Sequence, residues 1–171
     1  MTYSLSRASM VLGTALIVAA PMAQADLAVR FIEGAPKDRF QIENTGACAV
    51  TSGLVRLDLA TSDGKLIFDV TDRGAGVEVF QPFELVQGQS AVTDAPAVVD
   101  GQSVVELGIK SLAPGDIIAF TIDVDDTVGQ REITVSGSEI AGATASYVRG
   151  AERFTADFDE RARTTVPLSV C

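Results

Sequence analysis

The sequence contains no histidine and no tryptophan, and these two absences restrict its chemistry more than any residue that is present. Without histidine there can be no Ser-His-Asp or Cys-His catalytic group, and no zinc or copper site built on imidazole. With no tryptophan and only two tyrosines, the chain has few flat aromatic surfaces on which sugars or bases could stack. The sequence therefore favours a binding or structural protein over an enzyme.

Cysteine is scarce as well, since the chain has only Cys48 and Cys171. The two do not form a Cys-x-x-Cys motif, so a redox or metal site lacks its usual spacing. In an oxidising compartment, a lone pair of cysteines is most simply interpreted as one disulfide bond. This predicted Cys48–Cys171 bond would close a loop of roughly 120 residues and, in the chain-entropy model, stabilise the fold by about 4–5 kcal/mol.

Basic residues are outnumbered by acidic ones, 13 to 23, which gives a formal net charge of −10 at pH 7. Non-specific binding to nucleic acid or to anionic lipid requires a basic surface. We therefore expect no nucleic-acid partner. Cations and protein or cell-surface components are the partners that this charge allows.

The first 25 residues have the pattern of a secretory signal peptide. Arg7 provides the early positive charge, Met10–Ala20 is an apolar run, and Ala23-Gln24-Ala25 supplies the small residues that a signal peptidase recognises. The apolar run is shorter than the roughly 20 residues that a membrane span needs. We therefore predict an exported protein, periplasmic or extracellular, whose mature chain is a single domain from Asp26 to Cys171 with no membrane span.

The rest of the chain alternates apolar and polar residues with a period of two, in about ten short runs. The runs with this alternation include Leu27–Phe31, Phe40–Ile42, Val55–Leu59, Leu66–Val70, Val77–Phe80, Val104–Ile109, Ile117–Val124, Ile133–Val135, Ala143–Tyr147, Phe154–Phe158 and Val166–Val170. Successive side chains of a strand point to opposite faces, so each run buries one face. Turn residues separate the runs, and no helical stripe is present. The pattern predicts an all-β, two-sheet antiparallel sandwich, immunoglobulin-like or jelly-roll-like.

Three carboxylates lie close together at the end of one predicted strand, in Thr121-Ile-Asp123-Val-Asp125-Asp126. Since Ile118, Phe120, Ile122 and Val124 are expected to enter the core, Asp123 and Asp125 should lie side by side on the opposite face, at the rim of the sandwich. Ca²⁺ accepts irregular sets of oxygen ligands and would relieve the repulsion between these charges. We predict a calcium site formed by Asp123, Asp125 and Asp126, completed by Glu139 or Asp72; the alternative is a solvated acidic face.

Several segments resemble a group of small exported bacterial proteins, the "aggregation factor core" family, named after the core protein of the sponge aggregation factor. The segments that carry the resemblance are Arg30–Phe40, Leu66–Val70, Gly74–Phe83, Phe120–Asp126, Arg131–Ser136 and Glu139–Gly142. Because the sponge factor is a calcium-dependent adhesion proteoglycan, the resemblance implies adhesion and calcium. The family supplies no site residues to carry over, and this chain lacks the tandem repeats of large adhesins.

Two functions follow from these observations, and the sequence does not decide between them. The first is a non-enzymatic binding or adhesion module, with or without a dependence on calcium. The second is a structural or accessory subunit of a cell-envelope complex with no ligand of its own. A hydrolase that uses two carboxylates is a weaker third hypothesis, since nothing in the spacing of the acidic residues selects a pair.

Overall fold

The structure, a computed structural model, describes residues 25–74, 80–128 and 134–168. These residues form ten strands, one short α-helix and a 3-10 turn at Gln89–Ala91. The strands are β1 (Ala25–Ile32), β2 (Asp38–Asn44), β3 (Val50–Asp58), β4 (Ile67–Asp69), β5 (Glu84–Gln87), β6 (Val104–Leu112), β7 (Ile117–Asp125), β8 (Thr144–Arg149), β9 (Glu152–Asp157) and β10 (Arg163–Leu168), and the helix α1 is Gly137–Ile140.

The strands form two antiparallel sheets that pack face to face. One sheet has the order β10-β1-β2-β7-β4, with β5 also paired to β7, and the other has the order β6-β3-β8-β9. Alternate side chains of each strand enter one continuous core between the sheets. The prediction of a two-sheet antiparallel β-sandwich is confirmed.

The centre of the core is a row of phenylalanines formed by Phe31 of β1, Phe40 of β2, Phe120 of β7 and Phe83 of the loop before β5. Phe40 stacks on Phe120 with ring centroids 5.1 Å apart, and Phe83 lies on the other side of Phe120 at 4.8 Å. Phe40 and Phe120 are fully buried, as are Ile118 and Ile122 in the same strand as Phe120. The predicted inward face of β7 is therefore confirmed.

Asn44, at the end of β2, connects the two sheets by hydrogen bonds inside the core. Its Nδ2 donates to the carbonyl of Leu112 in β6 at 2.9 Å and to that of Cys48 at 2.8 Å, and its Oδ1 accepts from the N–H of Gly46 at 3.0 Å. Asn44 is fully buried. Three of the hydrogen bonds that an amide side chain can form are therefore made without water.

The helix α1 is a departure from the sequence prediction, which contained no helix. Ser136 and Glu139 form a capping box, in which Glu139 Oε2 accepts from the Ser136 N–H at 2.6 Å. The predicted strand at residues 133–135 is also wrong where it is described, because residues 134–136 are irregular and lead into this helix. A local side-chain cap outweighed the apolar pattern there.

Some sequence predictions fall outside the described residues: the signal peptide up to residue 24, residues 77–79 of a predicted strand, and Cys171. Strand β1 begins at Ala25, one residue before the predicted mature N-terminus. Among the described residues, no helix combines the length and the apolar character that crossing a membrane requires.

The register of the strands bears on the predicted disulfide bond. Cys48 lies in the β2–β3 loop, half-buried against the core. Leu168 of β10 pairs with Ala25 at the start of β1, and β2 ends beside the same end of β1, at Asn44. The end of β10 and the loop that contains Cys48 therefore lie at one end of the sheet, as the bond requires, and the bond to Cys171 stays a prediction.

Candidate functional site

Three aspartates lie next to one another on the outer side of β4 and β7. Asp123 and Asp125 alternate with the core residue Val124, and β4 pairs with this part of β7 so that Asp69 is the Cα partner of Asp123. Side chains of paired residues lie on the same face, with Cβ atoms about 4.5–5.5 Å apart. The predicted neighbours Asp123 and Asp125 therefore share a face, and Asp69 joins them.

These carboxyl groups are buried, which the sequence analysis did not predict. The exposed fractions of Asp69, Asp123 and Asp125 are 1%, 6% and 2%, and that of Asp126 is 5%. The backbone of Gln81 holds a loop against them, because its N–H donates to the Asp69 carbonyl and its C=O accepts from the Asp123 N–H, both at 3.2 Å. The expectation of carboxylates at a solvated rim was wrong, since residues after β4 fold back over this end of the sheet.

Two further aspartates, Asp38 and Asp100, complete what we call the carboxyl cluster: Asp38, Asp69, Asp100, Asp123 and Asp125. Asp38 begins β2, and its two oxygens accept from the N–H groups of Gly34 and Val124, each at 3.1 Å. Asp100 Oδ1 accepts from the N–H groups of Val70 and Thr71, at 2.9 and 3.2 Å. The cluster therefore joins four parts of the chain that are far apart in sequence.

Burial and mutual repulsion make these carboxyl groups hard to ionise. Burial raises the pKa of Asp69 to about 7, and the neighbouring carboxyl groups of Asp100 and Asp125 add to the rise. Burial also raises the pKa of Asp123 to about 7, with further contributions from Asp125, Asp38 and Asp69. A carboxylate in low dielectric beside other carboxylates favours the protonated form. Near neutral pH the cluster therefore holds protons that exposed aspartates would have lost.

Asp38 behaves in the same way despite better hydrogen bonding. Burial raises its pKa to about 7, the charges of Glu33 and Asp125 act in the same direction, and the N–H groups of Gly34 and Val124 oppose them. Two backbone donors are thus too few to offset the loss of solvent at this site.

Two oxygen atoms of the cluster are buried without a donor. No hydrogen-bond donor of the described residues reaches Asp69 Oδ2 or Asp123 Oδ2. The neighbours of Asp69 are the carboxyl groups of Asp100 and Asp125, with which it can form a hydrogen bond only through a proton. Buried polar atoms almost always have a partner, so each exception needs an explanation such as a shared proton or an ion.

The other predicted metal ligands lie elsewhere or are occupied. Asp72 is exposed in the bend after β4, with its Oδ1 4.0 Å from the Arg73 Nε. Glu139 Oε2 accepts from both the N–H and the Oγ of Ser136, and so belongs to the cap of α1. Asp126 is buried directly after the end of β7. Of the five predicted residues, Asp123 and Asp125 are the two that the structure places in the carboxyl cluster.

As the described residues stand, no group of three or more His, Cys, Asp or Glu side chains is arranged to hold a metal ion. The carboxyl cluster also does not line either described cavity. An open cavity of about 420 Å³ is bordered by Arg56, Pro96 and Glu106, and one of about 280 Å³ by Ser90, Leu112 and other residues near the 3-10 turn.

Sequence reasoning missed Asp38, Asp69 and Asp100. Asp69 lies between Phe68 and Val70 in the alternating run Leu66–Val70, so its place on the opposite face from Phe68 could have been inferred. The pairing of β4 with the end of β7 could not be inferred from the sequence, because it joins segments that are more than fifty residues apart. A comparison with protein-family models, curated proteins and solved structures finds no match to this chain.

Proposed function

We propose that the chain is an exported, non-enzymatic binding module of the adhesion type, which attaches to a protein or cell-surface component and depends on calcium. The observation that supports it is the carboxyl cluster, above all the two buried oxygens, Asp69 Oδ2 and Asp123 Oδ2, that no donor reaches. Hard cations with oxygen ligands are the partners that such atoms prefer. The complete lack of histidine, the export signal and the family resemblance agree with a binding role.

Calcium would act on the fold by replacing shared protons. Its binding requires the carboxyl groups of Asp69, Asp123 and Asp125 to turn toward one centre, since the described arrangement does not hold a metal as it stands. Such an ion would join β4 and β7 and, through Asp100, the loop before β6. Fixing these segments together would order the surface around them, and that ordered surface is the calcium-dependent part of the binding face.

The proposal is tested by thermal unfolding and titration calorimetry of the purified protein with CaCl₂ at pH 7.5. A ligand that binds only the folded state stabilises it by RT ln(1 + [L]/Kd), about 2.7 kcal/mol when calcium is at 100 times its Kd. We expect a rise in melting temperature with CaCl₂ relative to EDTA at the same ionic strength. Because calcium and protons compete for the same oxygens, the apparent affinity should fall as the pH is lowered through 7.

The matched variants are Asp123→Asn and Asp125→Asn inside the cluster, and Asp72→Asn and Glu139→Gln outside it. The first two should abolish the calcium-induced rise, each measured against its own value in EDTA, and the second two should leave it unchanged. No heat and no stabilisation at millimolar calcium would refute the calcium dependence. If, in addition, one stoichiometric protein from envelope extract bound equally well in EDTA, an accessory subunit would be the better description.

A further inference from the structure

The sandwich has four sheet edges, and three of them carry a recognisable device against pairing with another chain. At the edge strand β10, Pro167 lacks an N–H donor. The edge of β6 is covered by residues 92–93, through a bridge between Val92 and Ile109 and a hydrogen bond from the Thr93 N–H to the Gly108 carbonyl. On the last edge, β4 has three residues, and β5 has four with an irregular register. Short, bulged, covered or proline-containing edges resist strand addition.

The fourth edge, β9, differs from these. It has six residues and pairs with β8 in unbroken register from Glu152 to Asp157, and within the described part of the chain no second strand is hydrogen-bonded to it, although β10 of the other sheet packs close by. It contains no proline and no bulge. A regular edge of this length is a template for a further strand, and its charged side chains restrict that strand to one with complementary charges.

The backbone groups that β9 presents outward can be derived from its pairing with β8. The two-residue turn at 150–151 makes Arg149 and Glu152 a hydrogen-bonded pair, and hydrogen bonding then alternates along the strands. The bond from the Phe158 N–H to the Ala143 carbonyl, at 2.8 Å, confirms this alternation. The outward N–H and C=O groups therefore belong to Arg153, Thr155 and Asp157, and the side chains of all three are exposed.

The charges of Arg153 and Asp157 are complementary between two copies of β9. Neither Arg153 nor Asp157 forms an ion pair in the part of the chain that the structure describes. When two copies of β9 are placed antiparallel about a two-fold axis at Thr155, Arg153 of each copy lies opposite Asp157 of the other. Thr155 then lies opposite its own equivalent, and opposite-charge and Thr–Thr pairs are both favourable across antiparallel strands.

We propose that β9 is the site at which a second copy of this chain docks, edge to edge, to form a continuous eight-stranded sheet with two-fold symmetry. The three outward residues would form about six backbone hydrogen bonds with the second copy. An isologous contact of this kind closes after two copies. The inference goes beyond the proposed function, because it needs neither calcium nor the carboxyl cluster.

The test is sedimentation equilibrium of the purified protein, with the variants Arg153→Asp and Asp157→Arg. Each variant places like charges opposite each other in the dimer, so we expect the dimer dissociation constant to rise at least about tenfold. In an equimolar mixture of the two variants every acid again faces an arginine, and dimerisation should return to the wild-type level. The controls Arg73→Asp and Asp72→Arg make the same changes of charge on an exposed bend away from β9, and should leave the dimer unchanged.

Hydrogen exchange provides a second measurement. In the wild type, the amides of Arg153, Thr155 and Asp157 should become protected as the protein concentration rises, and in either single variant they should not. A wild type that stays monomeric up to millimolar concentration would overturn the proposal, as would a dimer that both variants leave intact. The experiments are done in EDTA and repeated in CaCl₂, so a failure of this proposal is distinguishable from a failure of calcium binding.

Discussion

Lowering the pH from 8 to 5.5 should stabilise this protein, whereas many proteins gain nothing or lose stability over that range. Asp38, Asp69 and Asp123 have ordinary pKa values near 4 in the unfolded chain and values raised to about 7 in the folded one. Between these limits the folded state binds more protons than the unfolded state. Stability must therefore rise as the pH falls through 7, and level off as the pH approaches 4.

The magnitude follows from the size of the shift. A rise of about three pKa units in one carboxyl group corresponds to about 4 kcal/mol, at about 1.4 kcal/mol for each unit. Part of each rise is repulsion between members of the carboxyl cluster, which is counted once for each pair rather than once for each residue. Between pH 8 and 5.5 each group contributes only about half of this, about 2 kcal/mol, because the rest is gained between pH 5.5 and 4. For three groups, with each repulsion counted once, we expect a total change on the order of 4 kcal/mol, a large share of the roughly 5–15 kcal/mol that stabilises a typical domain.

The assay is urea unfolding at a series of pH values between 5.5 and 8, at constant ionic strength and in EDTA. The denaturation midpoint should move to higher urea as the pH falls, with an unchanged slope m. Asp69→Asn and Asp123→Asn mimic the protonated carboxyl groups, so each should stabilise the protein at pH 8 and flatten its pH dependence. Asp72→Asn removes an exposed charge and should preserve the wild-type profile.

A flat profile, or a stability that decreases from pH 8 to 5.5, would refute the account of buried, protonated aspartates. A second contradiction would be destabilisation of the protein at pH 8 by both asparagine variants. That result would mean that the ionised forms are already stabilised by donors that the described residues do not include.

Three further predictions concern the core and the cysteines. Phe120→Ala removes the ring between two other phenylalanines and should cost about 3–5 kcal/mol in urea unfolding, whereas Phe120→Leu should cost clearly less. Asn44→Ala leaves the carbonyls of Cys48 and Leu112 without their donor and should lower stability by about 2–4 kcal/mol, with a fall in melting temperature as the measurement. Cys48→Ser and Cys171→Ser should each destabilise the oxidised protein by about 4–5 kcal/mol, and the double variant no further, with intact-mass measurement before and after reduction as the check of the bond.

Most of the fold was predictable, because a strand with one buried face has apolar residues at every second position. The alternation of Ile118, Phe120 and Ile122 with smaller or polar neighbours was sufficient to assign β7 and its inward side. The failures were local. The helix α1 depends on two side chains of a capping box, and residues 134–136 were too short a segment for periodicity to decide.

The candidate site was predictable only in part, for a different reason. Asp123 and Asp125 could be placed on one face because they belong to the same strand. Their burial, and the approach of Asp69 and Asp100, depend on pairings between distant segments that no local pattern encodes. The raised pKa values result from this burial and from the approach of other carboxyl groups, so they could not be predicted from the sequence either.

The pairing of the first described strand with the last one has a consequence for the order of assembly. Strand β1 can join β2 as soon as both exist, but its other side is completed only by β10, from the far end of the chain. Contacts between such distant segments slow folding and leave incomplete sheets exposed while they form. During the export that we propose, a chain that emerges N-terminus first would present the bare side of β1 until the residues of β10 arrive. We expect it to depend during that interval on a holding chaperone or on rapid translocation.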